Sequence, residues 1–217
     1  QIRFHDLTTG KNHPVTDGLA HAGNPAFSPQ GDVLFFSASI NAGPSLVGLG
    51  LSSQERPFRA GLYALVLAAD GKSPLAPRPG DEEARKPGKA EDGKDERKAG
   101  DAKPEPVKPV KIDFDGLADR VVALPVGERN YDNVTVAADG ALFYLQRPQS
   151  GAVHDGADPE AQVVADLWRF DFEERKPKLL RGEVTDYSLS GDRKKLLIAA
   201  PGGKLEVGDA NDKLDAK

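Results

Sequence analysis

Three stretches of the chain share one pattern: a short run of strand-forming residues, a polar turn with a glycine, and a second apolar run. The first is Asn24-Pro25-Ala26-Phe27-Ser28-Pro29-Gln30-Gly31-Asp32-Val33-Leu34-Phe35-Phe36-Ser37. Pro29 presets φ for a turn, and Gly31 offers the positive φ that closes it. Val33 to Phe36 is continuously apolar, as expected of a strand covered on both faces. The second stretch runs from Val134 to Leu145 around Asp139-Gly140, and the third from Tyr187 to Ile198 around Gly191-Asp192. Each predicts a β-hairpin.

The intervening sequence is also strand-like. Ile2 to Leu7 alternates, turns at Thr8 to Asn12, and is expected to return over His13 to Thr16. Leu62 to Leu67 predicts a further strand that ends at Ala69-Asp70-Gly71-Lys72, a turn signal. Val110 to Gly116 and Asp119 to Pro125 read as two strands joined near Gly116 and Leu117. In Asp166 to Phe172, Leu167 opposes Trp168, and Phe170 and Phe172 share the Trp168 face. Lys178 to Leu180 predicts a short return strand. Gly202-Gly203 is a turn that leads into Lys204 to Asp209. Residues 40–60 form a loop, Gly-rich from Leu46 to Leu51, and residues 146–163 form a polar one.

One segment differs in kind. Residues 78–109 contain no aromatic residue, Leu or Ile, and are filled with Lys, Glu, Asp, Pro, Gly and Ala. Such a composition buries too little apolar surface to offset chain entropy, so a disordered insertion of mixed charge is expected.

Gly140 to Gly191 spans 51 residues, and Gly31 to Gly140 spans 109, or about 55 without the 40–60 loop and the charged segment. Both sit just above the ~40–50-residue spacing of propeller repeats. No amphipathic helix separates the strands, which argues against a doubly wound fold. The fold class expected is all-β: a β-propeller arc of about three four-stranded blades plus part of another. The units are 1–18 (the end of a blade), 24–77 with 110–126, 130–181 and 184–209, followed by a polar tail over 210–217.

Composition narrows the function classes. The net charge is −5 and the pI near 5.5, without the basic footprint of a nucleic-acid binder. No apolar run approaches the ~20 residues that span a membrane. Cysteine is absent, which excludes disulfides, thiolate zinc sites and thiol catalysis. Methionine is absent too, and Gln1-Ile2-Arg3-Phe4 begins inside a strand-like run, so the chain is expected to be a piece of a longer polypeptide.

Candidate chemistry within the chain is sparse. There is no Gly-x-Ser-x-Gly elbow, and Ser28 and Ser190 sit in repeated turns, where their hydroxyls are expected to cap local backbone. Asp113-x-Asp115-Gly116-x-x-Asp119 lacks the closing Glu of a calcium loop. His5 and His13 face each other across the first hairpin in this reading, but two His without a third ligand make no zinc site. His154 falls in the polar 146–163 loop. No catalytic residue, metal or cofactor is expected. Asn133-Val134-Thr135 fits a glycosylation sequon by accident. Arg120 is expected to pair with Asp113 or Asp115 across a turn, with a second reading as a channel-lining charge that meets peptide carboxylates.

Phe27-Ser28-Pro29-Gln30-Gly31 resembles the Ser-Pro-Asp-Gly hairpin of propeller repeats in the TolB and tricorn groups. Leu62 to Leu67 with Ser73 to Pro77, Lys111 to Val126 and Leu167 to Phe172 add an ordered match. The middle stretch, Ile112-Asp113-Phe114-Asp115-Gly116 through Arg120-Val121-Val122-Ala123-Leu124-Pro125, is similar to a signature of tricorn-type serine proteases. The resemblance covers most of the chain apart from the charged insertion. It implies N-terminal propellers, then a helical region, a PDZ domain and a serine-protease core, with the propellers admitting or sorting peptides. By the same resemblance the parent protein is a cytoplasmic homo-oligomer. A periplasmic location stays open because the N-terminus is missing. No position matches the family's nucleophile, base or oxyanion motifs.

The leading expectation is therefore a non-catalytic propeller segment of a tricorn-like serine peptidase, with peptides or unfolded polypeptides and the rest of its own chain as partners. The alternatives are a TolB-like protein-binding propeller without peptidase activity and the propeller lid of a prolyl-oligopeptidase-type enzyme.

Overall fold

The computed structural model describes residues 1–39, 59–77, 110–148 and 164–211. The predicted 40–60 and 146–163 loops fall largely outside these residues. The charged insertion, His154 and most of the tail lie wholly outside them.

The described residues form thirteen strands in four antiparallel sheets. β1 (Arg3–His5) pairs with β2 (Asn12–Pro14) in the first sheet. β3 (His21–Phe27), β4 (Val33–Ser39), β5 (Gly61–Val66) and β6 (Val121–Ala123) form the second. β7 (Asn130–Val136), β8 (Leu142–Arg147), β9 (Ala165–Asp171) and β10 (Lys176–Val184) form the third, and β11 (Asp186–Leu189), β12 (Lys195–Ala200) and β13 (Lys204–Asp209) the fourth. In every sheet the strands lie in sequence order, so each sheet is a meander. The fold is all-β, with consecutive sheets packed face to face in the manner of propeller blades. No helix among the described residues is long and apolar enough to cross a membrane.

The continuous apolar runs follow from this stacking. On β4, Val33 and Phe35 belong to the core shared with the third sheet, while Leu34, Phe36 and Ala38 belong to the core shared with the first. β5 divides in the same way: Leu62 and Ala64 face one side, Tyr63 and Leu65 the other. On β8, Leu142 and Tyr144 face back toward the second sheet, and Phe143 and Leu145 face the fourth. β9 keeps the predicted alternation, with Phe170 in the first of those cores, Trp168 and Phe172 packed against it, and Leu167 in the second. A strand whose two faces enter two cores has no polar face to display.

Several local expectations need correction. Val110 to Gly116 is not a strand. It is irregular backbone leading into a short 3₁₀ turn over Leu117–Arg120, and only Val121–Ala123 joins the sheet. The return strand expected at Lys178 to Leu180 is the nine-residue β10, lengthened by two register shifts opposite β9. His5 and His13 do not face each other: His5 pairs with Asn12, and His13 lies opposite Phe4.

The third hairpin closes differently from the other two. Gly31 (φ 72°) and Gly140 (φ 86°) take the left-handed position, and their amides donate to Ser28 O and Ala137 O at 3.0 Å. The same bond in the third hairpin runs from Arg193 N to Ser190 O at 2.8 Å, and Arg193 itself has φ 59°. The structural equivalent of Gly140 is therefore Arg193, 53 residues on, rather than Gly191.

Candidate functional site

The turns after β3 and β7 and the end of β9 come together at the junction of the second and third sheets. They line an open cleft of about 460 Å³. Its construction begins with the turn serine. Ser28 Oγ accepts from the amides of Asp32 and Val33, both at 3.1 Å, and donates to Asp32 Oδ1 at 2.6 Å. The backbone-capping role expected of Ser28 is what the structure contains. Ser190 repeats it, accepting from Lys195 N at 2.9 Å. The second copy has Ala137 there, and Asp139 Oδ1 takes over by accepting from Ala141 N at 3.0 Å.

That substitution turns Asp139 toward Arg169, whose Nη2 donates to Asp139 Oδ2 at 2.9 Å. Arg169 Nη1 donates to Asp171 Oδ2, also at 2.9 Å. The Arg169 side chain is only 11% exposed, against 46% for Asp139 and 28% for Asp171. Burial works against the charged guanidinium, but the hydrogen bonds and charges of Asp139 and Asp171 outweigh it and hold its pKa above the ordinary value. Burial likewise pushes the Asp171 carboxyl up. Donation from the amides of Glu174 and Glu173 and from Arg169 overrides that effect and holds it below the ordinary range. Arg169 and Asp171 thus each favour the other's charged form.

The remaining walls are apolar. Phe35 and Phe172 approach with ring centroids 5.3 Å apart, Phe172 meets Phe170 edge-on at 5.0 Å, and Pro74 and Pro29 also line the cleft. Lys72, Asp32 and Glu173 stand on the exposed rim.

Arg120 lies elsewhere, behind β5. Its guanidinium donates to four backbone carbonyls: Val66 O at 3.0 Å, Asp115 O at 2.9 Å, Leu67 O at 3.2 Å and Asp113 O. It thus meets Asp113 and Asp115 through their main chain, not through the expected ion pair. The Asp113 carboxylate is engaged by Ala69 N at 2.7 Å and by Lys111 Nζ at 3.2 Å, and Lys111 also reaches Asp70 at 3.0 Å. In the former sequon, Asn133 Nδ2 donates to Asp186 Oδ1 and Tyr187 O at 2.8 Å each, which ties the third sheet to the fourth.

Sequence reasoning missed the Arg169 triad. The signal is an arginine in alternation with the apolar Ala165 and Leu167 of β9, with an Asp two residues on and an Asp-Gly turn one hairpin earlier. A buried cation demands such partners.

The chain is 29% identical over 190 residues to a tricorn protease homolog 1 of Streptomyces coelicolor, covering 85% of this chain and 16% of that protein. It is 24% identical over 210 residues to a tricorn protease of Thermoplasma volcanium, covering 94% and 17%. The chain is related in sequence to the tricorn proteases. It spans about one sixth of the length of the curated relatives it matches. A tricorn protease crystal structure superposes with a TM-score of 0.64 at 17% identity, over 96% of this chain and 18% of that one, a likeness of fold. No family model matches the tricorn-related chain.

Proposed function

We propose that this chain is a non-catalytic propeller segment of a larger tricorn-like serine peptidase, in which it admits or sorts peptides for a protease core carried elsewhere on the same polypeptide. One observation carries this reading: the relatives that match nearly the whole chain are named as tricorn proteases, and they are about six times longer. The stacked meanders support it as a scaffold, and fold alone assigns no chemistry. In this reading the further blades, a PDZ domain and the protease core complete the molecule. The whole is a cytoplasmic homo-oligomer that takes peptides or unfolded polypeptides.

The test uses the native polypeptide that carries this sequence. It is treated with a fluorophosphonate probe and assayed on fluorogenic peptides, and the labelled position is mapped. The expected result is peptide hydrolysis, with the label outside residues 1–217. A label on a serine of this chain, or a polypeptide without hydrolysis and without label, would overturn the reading.

A further inference from the structure

The Arg169 guanidinium leaves one donor unspent. Its Nη1 and Nη2 are committed to Asp171 and Asp139. Its Nε is buried and meets no acceptor among the described residues. The residue is only 9% exposed, and it lines the cleft between the second and third sheets. A buried donor without an acceptor is costly, and the great majority of such groups have one. A molecule held in the cleft can bring it.

Charge narrows what that acceptor can be. Asp32, Asp139 and Asp171 line the same cleft, and two of them already flank the guanidinium. A carboxylate or phosphate would approach Nε against these charges. An ammonium or guanidinium has no acceptor to offer. An uncharged amide meets both conditions, because its carbonyl accepts and its N–H groups donate to carboxylate oxygen. Asp139 has room for such a donor: it receives two hydrogen bonds, from Ala141 N and Arg169, where a carboxylate offers about four acceptor sites.

Reach separates a side-chain amide from a main-chain one. Arg169 is far more buried than the Asp139 side chain beside it. A main-chain amide carries a Cα on each side and cannot sink to a donor at that depth, whereas a carboxamide at the end of a stem can. Phe35, Phe172 and Pro74 line the same cleft, and methylenes leave water favourably against such walls.

We infer that this cleft binds the carboxamide of a glutamine side chain in an extended peptide. The carbonyl oxygen accepts from Arg169 Nε, the NH2 group donates to Asp139, and the stem lies against Phe35, Phe172 and Pro74. This assignment deepens the peptide-handling reading and rests on it, because it names the side chain that the propeller segment would select.

The full chain is titrated calorimetrically with three acetylated, amidated pentapeptides, Ala-Ala-Gln-Ala-Ala and the same sequence with glutamate or norleucine at the centre. Glutamate keeps the shape and adds a charge, and norleucine keeps the stem and removes the amide. The glutamine peptide should bind about tenfold or more tightly than either, with little dependence on salt because no charge pair forms. Phe172→Ala should weaken it severalfold. In the unaltered chain, the Nε–H resonance of Arg169, assigned through its own side-chain carbons, should shift with the glutamine peptide and stay in place with the other two. Equal binding of the three peptides, an Arg169 resonance that does not move while the glutamine peptide binds, or unchanged binding by a folded Phe172→Ala chain would each overturn the inference. If the glutamine peptide fails while peptides of mixed sequence bind, the cleft assignment alone falls. If no peptide binds at all, the peptide-handling reading falls with it.

Discussion

Arg120 sets four backbone carbonyls at the edge of β5 around one planar fork. Those carbonyls belong to Val66, Leu67, Asp113 and Asp115, where the ordinary ladder has stopped. Arg120→Ala should cost about 2–4 kcal/mol in a urea unfolding experiment, because part-buried acceptors lose charged donors. Arg120→Lys should recover little of it, since a point charge cannot span the fork. A contact with peptide carboxylates would instead show as weakened peptide affinity with stability retained. Arg193 is the converse case, an L-residue held at φ 59° where the two other hairpins use glycine. Arg193→Gly should raise stability by about 0.5–1 kcal/mol, less the loss of its 3.2 Å hydrogen bond to Phe27 O, measured as a shift in urea midpoint. Composition showed that Arg120 mattered locally but not how: an arginine flanked by Asp113, Asp115 and Asp119 invites an ion-pair reading, and only the fold reveals that the main chain takes the donors. The third hairpin departs from the expected Gly191 register for a related reason. Glycine is permitted at positive φ without being required there, and the turn counts from Ser190, not from the glycine.

At the scale of the elements, β10 and β13 are tied by Arg181, whose Nη2 donates to Glu206 Oε1 at 3.1 Å and whose Nη1 donates to Oε2. Lys204 adds a third contact at 2.8 Å. The hydrogen bond from Arg181, then that from Lys204, pulls the Glu206 carboxyl from an ordinary 4.5 down to about 2. A carboxyl depressed in the folded state stabilises fully above its unfolded value, and that contribution fades as the pH falls from about 4.5 toward 2. Acid titration followed by circular dichroism should therefore show progressive loss of stability across that window. Glu206→Gln should flatten the dependence. The strands themselves were legible because stacked sheets bury both faces, and Val33 to Phe36 or Leu62 to Leu67 leave few other arrangements. Val110 to Gly116 was not, because Ile112 and Phe114 alternate as a strand would. Asp113 N donates to Leu67 O at 3.0 Å and its carboxylate takes Ala69 N, and these two bonds stand in for a ladder. Phe114 completes the diversion by stacking on His13 at 3.7 Å.

Across the whole molecule, the fourth sheet has three strands among the described residues where the second and third have four. Its outward face presents Leu205, 64% exposed, and Val207, 72% exposed, beside an edge of β13 that no strand among the described residues pairs. An apolar face next to an open edge is prone to pair with another chain. Sedimentation velocity on the isolated chain should show concentration-dependent association, and Leu205→Lys with Val207→Lys should return it toward monomer. A monomer at all concentrations would count against an open arc. The cleft between the second and third sheets was beyond the reach of periodicity, because its walls come from turns 109 residues apart in sequence. The fork made by Arg120 has one more consequence. It holds the chain fast just as it re-enters the sheet, while Lys111 ties to Asp70 on the outgoing side. Whatever lies between Pro77 and Val110 thus enters and leaves through a fixed gate. A change in its length or composition should therefore leave the Arg120 and Lys111 contacts in place. This is the position for splicing in a fluorescent reporter domain, and the melting temperature of such a fusion should match that of the parent chain within a few degrees.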